Sequence, residues 1–218
     1  MKTHILSLLL AYLLLLPHSL FSQDSEVTPK ELFKSFKQTD KGNCTAVAYI
    51  KAAISVFGLD SLFKKIEINS QYTTVTMRDS SQKITVTQLE IQQAVKYSKF
   101  VLLDSTNSRF KEIVNFAHLC YAVMAKQRQR IEKRKTFESS LLALDEGSSV
   151  SEAYKYLGLK AKNVSNDNKW LSRTRGYAGL IVYNCKHAAF ASYGKMDLWG
   201  KTKNIKKLVY YGRLRIVR

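Results

Sequence analysis

Residues 44–57 read CTAVAYIKAAISVF, and this apolar helical stretch decides the fold of the chain. Its apolar side chains recur with the spacing of one helical stripe and its flanks: Ala46, Val47, Ile50, Ala53, Ile54 and Phe57. Gly58 follows as a C-terminal stop. Because a helix that is apolar around most of its surface must be covered on all sides, we predict that this helix is central and buried.

Cys44 lies at the first position of this predicted helix, with Asn43 as its expected N-terminal cap. Unpaired N–H groups and the helix dipole point at that position and favour a thiolate over a thiol. The thiolate is the form that acts as a nucleophile. A buried structural thiol or one half of a disulfide is the alternative role for Cys44.

The remaining patterns place helices before strands. Capping residues and apolar periodicity predict helices over 28–36, 87–100, 108–134, 137–144 and 150–157. Alternating Thr and Val residues predict a β-hairpin over 72–86, and strands follow at 178–184, 187–194 and 208–218. Helices in the first two-thirds and antiparallel strands in the last third are typical of the α+β class.

The N-terminus has the pattern of a cleaved signal peptide over residues 1–22. Lys2 precedes an apolar run at 5–16, and Pro17 closes the run before it is long enough to span a bilayer comfortably. We therefore expect export to the periplasm or the extracellular space, with a retained membrane anchor as the alternative. No later run is apolar enough to span a membrane, and residues 23–218 are expected to form one domain.

The chain is strongly basic, with 35 Lys and Arg against 17 Asp and Glu. Much of the excess lies in two clusters, at 126–135 and 201–218. Such clusters favour anionic partners such as nucleic acid, lipid head groups, acidic glycans or acidic peptides. Alternatively, they are solvated faces, since neither is interleaved with the aromatic residues that bind single-stranded nucleic acid.

The three cysteines are Cys44, Cys120 and Cys185, and an odd count leaves at least one thiol free or paired between chains. Cys120 falls in an apolar helical stretch and is predicted to lie in the core. Cys185 precedes His187 by two positions on a predicted strand, so it either lies beside His187 or pairs with Cys120. No C-x-x-C spacing occurs, and we expect no metal or other cofactor.

His187 and the DLWG stretch at 197–200 supply the groups that a thiol nucleophile needs. His187 begins a strand, and a turn at 194–195 would fold Asp197 back toward it. Asp197 could then accept the proton on the second imidazole nitrogen, and Trp199 could keep water off that bond. A structural histidine and an ordinary turn aspartate are the alternatives.

The order of these residues resembles that of the papain-like cysteine peptidase superfamily. In that superfamily a cysteine opens the central helix, a histidine begins a strand of the β lobe, and an Asn-Ser-Trp-Gly type motif follows. A glutamine six residues before the cysteine, as Gln38 is here, helps the cysteine N–H to bind the oxyanion. The resemblance therefore implies a papain-like fold with an N-terminal helical lobe and a C-terminal antiparallel β lobe.

The sequence also departs from this pattern. Thr45 stands where the superfamily commonly has an aromatic residue, and the spacing of ten between His187 and Asp197 is short. That short spacing leaves Asn204 as a second candidate for orienting His187. The hairpin at 72–86 and the long helix at 108–134 have no counterpart in papain.

These features predict an exported thiol hydrolase that acts on a peptide or protein substrate through a thioester intermediate. The resemblance implies that Cys44 is the nucleophile, His187 the base, Asp197 its orienter and Gln38 an oxyanion donor. Transfer of acyl groups to amines and deamidation by a delivered effector are alternatives. So is a catalytically inactive module that binds an anionic partner through the two basic clusters.

Overall fold

A computed structural model of the chain describes residues 26–39, 42–164, 176–205 and 212–218. The signal-peptide interpretation of residues 1–22 and the start of the last predicted strand, at 208–211, lie outside these ranges. Within the described residues, no helix has the length and hydropathy needed to cross a bilayer.

Five α-helices and one 3₁₀ helix precede the main sheet in the described part of the chain. They are α1 Pro29–Ser35, α2 Cys44–Phe57, α3 Gln88–Ser98, α4 Ser108–Ile131, α5 Phe137–Asp145 and the 3₁₀ helix Ala153–Leu157. Reciprocal capping boxes open α1, through Thr28 and Glu31, and α3, through Thr87 and Glu90. The predicted helices are thus confirmed, although the segment expected at 150–157 is a shorter 3₁₀ helix.

Helix α2 is the centre of the fold, as its apolar pattern predicts. It begins at Cys44 and ends at Phe57, where the N–H of Gly58 donates to the carbonyl of Ile54. Eleven of its fourteen residues are buried, and its most extensive contact is with the strand Ala188–Ser192 of the main sheet. Burial on nearly every side explains the absence of a polar stripe along the helix.

The strands form three antiparallel sheets. Six strands form the main sheet, in the order β10-β9-β8-β7-β11-β6; they are β6 Lys160–Asn163, β7 Leu180–Tyr183, β8 Ala188–Ser192, β9 Lys195–Leu198, β10 Lys201–Asn204 and β11 Gly212–Val217. A three-stranded sheet contains β2 Lys65–Ile68, β3 Tyr72–Thr76 and β4 Lys83–Thr87, and β1 Phe36–Lys37 pairs with β5 Val101–Leu102. The predicted hairpin is confirmed. Strands β2 and β6 and the short β1–β5 pair were not predicted. The chain is therefore an α+β protein.

One face of the main sheet packs against α2. Ile181, Phe190 and Leu214 belong to the same apolar core as α2, whereas Leu180, Val182 and Ala189 form a smaller core on the opposite face. The helix and the chain leading into the sheet approach each other closely just before β7, at Gly179. A Cβ atom there would lie 2.2 Å from Val56 Cγ2 and 2.7 Å from the carbonyl oxygen of Ala52. Glycine permits this docking, which fixes α2 against the strands that follow.

Candidate active site

The N-terminus of α2 opens into a cleft of about 600 Å³. Its walls come from the start of α2, the loop after α5, the loop before β8 and the turn after β9. The lining residues are Gln38, Gly42, Cys44, Thr45, Glu146, Gly147, Ser148, Val150, Asn184, Cys185, Lys186, His187, Ala188, Leu198 and Trp199. The cleft therefore gathers four of the six residues predicted for the site: Gln38, Cys44, His187 and Trp199.

A narrow crevice continues from this cleft between α2 and the sheet. Gln38, Cys44, His187, Asp197 and Trp199 all line it, and its volume is about 10 Å³. A cavity of that size holds no more than a single water molecule. Residues from distant parts of the described chain thus meet around one small space.

Cys44 is the first residue of α2 and is half-buried. No hydrogen bond within the described residues uses its backbone N–H, which is one of the unpaired donors at the helix N-terminus. The helix dipole adds a partial positive charge at this position. The site can therefore stabilise an oxyanion that forms next to the sulfur.

Asn43 occupies the N-cap position, but its side chain does not cap α2, contrary to expectation. It is fully buried, and its Nδ2 donates to the carbonyl of Ser98 at 2.8 Å. The side chain thus ties the start of α2 to the end of α3. The helix N-terminus is left open toward the cleft.

His187 directly precedes β8, as predicted, and a turn made by Asn184 holds its backbone. Asn184 Oδ1 accepts from the N–H groups of Lys186 and His187, and Asn184 N–H donates to the carbonyl of His187. This turn was missed in the sequence, although an Asn three residues before a strand is a recognisable signal. Burial lowers the pKa of the His187 imidazole, and the negative charge of Asp197 partly opposes that shift.

Cys185 lies in the Asn184 turn and not on a strand, so the prediction that it shares a strand face with His187 is wrong. Its side chain is exposed at the cleft. Cys120 is fully buried in α4, and burial raises the pKa of its thiol. All three cysteines are free, so the suggested Cys120–Cys185 pair is absent from this structure.

Trp199 stacks on His187, with ring centroids 4.9 Å apart and planes inclined by 12°. The indole is 45% exposed, so it covers the outer side of the imidazole. Trp199 and Gly200 both have left-handed backbone angles, with φ of 57° and 79°. This tight turn directs the indole back over His187.

Asp197 lies in β9 and reaches the crevice because β8 and β9 form a tight hairpin. Ser192 pairs with Lys195 across a two-residue turn, in which Tyr193 and Gly194 have positive φ. The predicted turn position is therefore confirmed to within one residue. Asp197 is 8% exposed.

The hydrogen bonds of Asp197 differ from the expected arrangement. Its Oδ1 accepts from the N–H of Gly200 at 2.8 Å, and its Oδ2 pairs with Lys51 Nζ at 2.5 Å. Among the described residues it makes no hydrogen bond to His187, so its effect on the imidazole is that of a nearby charge. Lys51 was not singled out in the sequence; a lone cation in the apolar pattern of α2 is the signal that marks it.

Asn204, the second candidate orienter, does not line either cavity. It is exposed in β10, pairs with Lys195 across the ladder, and accepts from Lys195 Nζ at 2.7 Å. Its side chain is hydrogen-bonded to Lys195 at the edge of the sheet. The structure therefore separates Asn204 from the group around His187.

Three of the six cations in the basic cluster at 126–135 form ion pairs within the fold. Lys126 bonds to Glu90, and Arg128 and Arg134 share Glu132. In the second cluster, Lys201 and Lys203 are exposed on the edge strand β10. No group of three or more potential metal ligands occurs among the residues that the structure describes.

Comparison with known proteins gives no relative: the chain matches no protein-family model, and neither a curated protein nor a solved structure matches it significantly.

Proposed function

We propose that the chain is a papain-like thiol hydrolase, with Cys44 as nucleophile and His187 as general base. The observation that carries this proposal is the shared crevice of Gln38, Cys44, His187, Asp197 and Trp199. The nucleophile comes from a helix N-terminus, and the base comes from the residue directly before β8 in the sheet packed on that helix. This is the placement that a thiol nucleophile and its base require.

In the proposed reaction, Cys44 Sγ attacks a substrate carbonyl carbon while the thiol proton passes to His187. The resulting oxyanion lies between the Cys44 N–H and the Gln38 side-chain amide. Collapse breaks the carbon–nitrogen bond, and His187 returns the proton to the leaving amine. Water then attacks the thioester with His187 again as base, and releases the acid and the Cys44 thiol.

The open cleft beside the crevice favours a peptide or protein substrate with an amide bond. Its volume of about 600 Å³ accommodates several side chains, and both Glu146 and Lys186 reach its wall. An amine in place of water would attack the same thioester and give transamidation. The acyl-enzyme step is common to both reactions, so it is the step to test first.

Mass spectrometry with an epoxide-type cysteine probe tests the proposal. The wild-type chain, Cys44→Ala and His187→Ala are compared with Cys185→Ala, a matched control that removes an exposed thiol of the same cleft. We expect a single adduct in the wild type and in Cys185→Ala, none in Cys44→Ala, and much slower labelling in His187→Ala.

Two results would contradict the proposal. An adduct that persists in Cys44→Ala would move the nucleophile to Cys185 or Cys120. Labelling of Cys44 no faster than that of a model thiol at pH 6 would leave an inactive module that binds an anionic partner.

A further inference from the structure

A lysine lies fully buried in α2, seven residues after Cys44. Lys51 has no exposed surface, and its Nζ contacts Asp197 Oδ2, the carbonyl of Phe36 and the face of the Phe36 ring. Burial of an ammonium group without compensation costs several kcal/mol, so such a residue needs a specific partner. Asp197 is the only anionic partner of Lys51 in the described part of the chain.

Residues seven apart lie two turns apart on the same helix face. Lys51 therefore lies on the face of α2 that carries Cys44 and points at the hairpin of β8 and β9. It links the helix that bears the thiol to β9, the strand that pairs with β8 directly after the imidazole.

From Lys51 the contacts continue to His187 without interruption. Lys51 holds Oδ2 of Asp197, whose Oδ1 accepts from the Gly200 N–H and so closes the turn at 198–200. That turn contains Trp199, and Trp199 stacks on His187. Because both oxygens of Asp197 are used in this way, the contacts that join it to the imidazole run through the turn and the indole, in addition to its effect as a nearby charge.

We infer that Lys51 is a positioning residue, which fixes the His187 imidazole relative to Cys44 through Asp197 and the Trp199 turn. The inference rests on the proposed function for its catalytic meaning. The link from Lys51 to the Trp199–His187 stack is a structural property, and it can be measured whether or not the protein has enzymatic activity.

Trp199 fluorescence measures the stack directly, because a protonated imidazole against an indole quenches its emission. The measurement uses a variant that combines Trp170→Phe with Cys44→Ala. Of the two tryptophans in the chain, only Trp199 then remains, and the thiol near His187 is removed. Glu146, Cys185, Lys186 and Asp197 remain as the other titratable groups around His187. We expect a quenching step as His187 gains its proton.

In this background, Lys51→Met should reduce the quenching step by half or more, because the freed turn no longer holds the indole on the imidazole. Lys51→Arg should restore most of the step. When Asp197→Asn is also present, Lys51→Met should have no further effect, since Lys51 acts through Asp197. Ile54→Val is the matched control: it loosens the buried core of α2 and should leave the step intact.

If Lys51→Met shows a quenching step as large as that of the background variant, the inference is overturned and Lys51 has a purely structural role. The inference is equally overturned if Lys51→Met reduces the step by the same amount with and without Asp197→Asn. If Lys51→Met does not fold, Lys51→Gln, whose shorter amide cannot reach both Phe36 and Asp197, is judged by the same criteria.

The labelling rate of Cys44 separates this inference from the proposed function. With the native thiol, Lys51→Met should slow epoxide labelling about tenfold. If the wild type is not labelled, the proposed function fails, whereas the fluorescence step still decides whether Lys51 positions His187.

Discussion

The imidazole of His187 and the indole of Trp199 lie face to face, 4.9 Å apart between ring centroids. His187 directly precedes β8 and Trp199 directly follows β9, so the two rings meet at the open end of the hairpin formed by these strands. The contact between the two rings depends on the hairpin turn, on the register of the two strands and on the aspartate turn at 197–200. An imidazole held in this way is already oriented before a substrate arrives.

Replacing Trp199 with leucine should slow the reaction of Cys44, because the stack that restrains His187 is lost. We expect the rate of epoxide labelling to fall on the order of tenfold, as misplacement of a catalytic group commonly costs at least that much. Trp199→Phe keeps a ring at the same place and should retain most of the rate. Equal rates in all three proteins would show that the stack does not position the imidazole.

Replacing Asp197 with asparagine should lower the pKa of His187 further. Burial already lowers this pKa, and the charge of Asp197 is the contribution that opposes the shift. Removal of the carboxylate charge therefore destabilises the imidazolium. A pH titration of the His187 ring signals by NMR measures the change.

Asn204→Ala is the control for this titration, because Asn204 is exposed beside Lys195 and does not line the crevice. It should leave the pKa of His187 unchanged. A rise of the His187 pKa in Asp197→Asn would contradict the assigned electrostatics.

Gln38 can be tested by comparing two reactions of the same thiol. An oxyanion forms when Cys44 adds to a carbonyl, but none forms when iodoacetamide alkylates the sulfur. Gln38→Ala should therefore reduce the rate of turnover of a carbonyl substrate by about 10²–10³-fold. It should change the rate of alkylation by about twofold or less. Gln38→Glu, which has no amide donor, should behave like Gln38→Ala. Parallel losses in both reactions would point instead to a displaced thiol.

His118 should make the folded chain sensitive to acid. It is buried in α4, stacked on Phe100, and burial lowers the pKa of its imidazole to about 4 from an ordinary 6.5. Below pH 6.5 the unfolded chain binds a proton at His118 that the folded chain rejects. Stability therefore falls between pH 6.5 and about 4, by on the order of 3 kcal/mol for this group alone.

Denaturant unfolding at several pH values checks this expectation. His118→Phe, which can stack on Phe100 and does not titrate, should have a flatter stability curve over the same range. Parallel curves for the two proteins would rule out His118 as the source of acid sensitivity.

Much of the fold follows from local signals that need no tertiary context. The apolar pattern and Gly58 bound α2, and the capping boxes at Thr28 and Thr87 start their helices where the structure has them. The predicted positions of His187 and Asp197 also bring both residues to one crevice. These predictions succeed because each depends on residues only a few positions apart.

The parts that sequence reasoning missed depend on distant contacts. The partner of Asp197 is Lys51, 146 positions earlier, and no local sequence pattern predicts that pair. Asn43 is a good cap by composition, yet tertiary packing uses its amide on Ser98 instead. Strand β6 contains one half-buried alanine among exposed polar residues, and its pairing with β11 alone defines it.

The buried pair of Lys51 and Asp197 makes the burial of α2 depend on β9, whose aspartate lies 146 positions further along the chain. Residues up to 164 include every described helix, but α2 then carries an ammonium group that must be buried without its anion. A chain that ends before Asp197 would meet that cost when Lys51 is buried. Correct docking of β9 thus completes the charge balance of a helix translated much earlier.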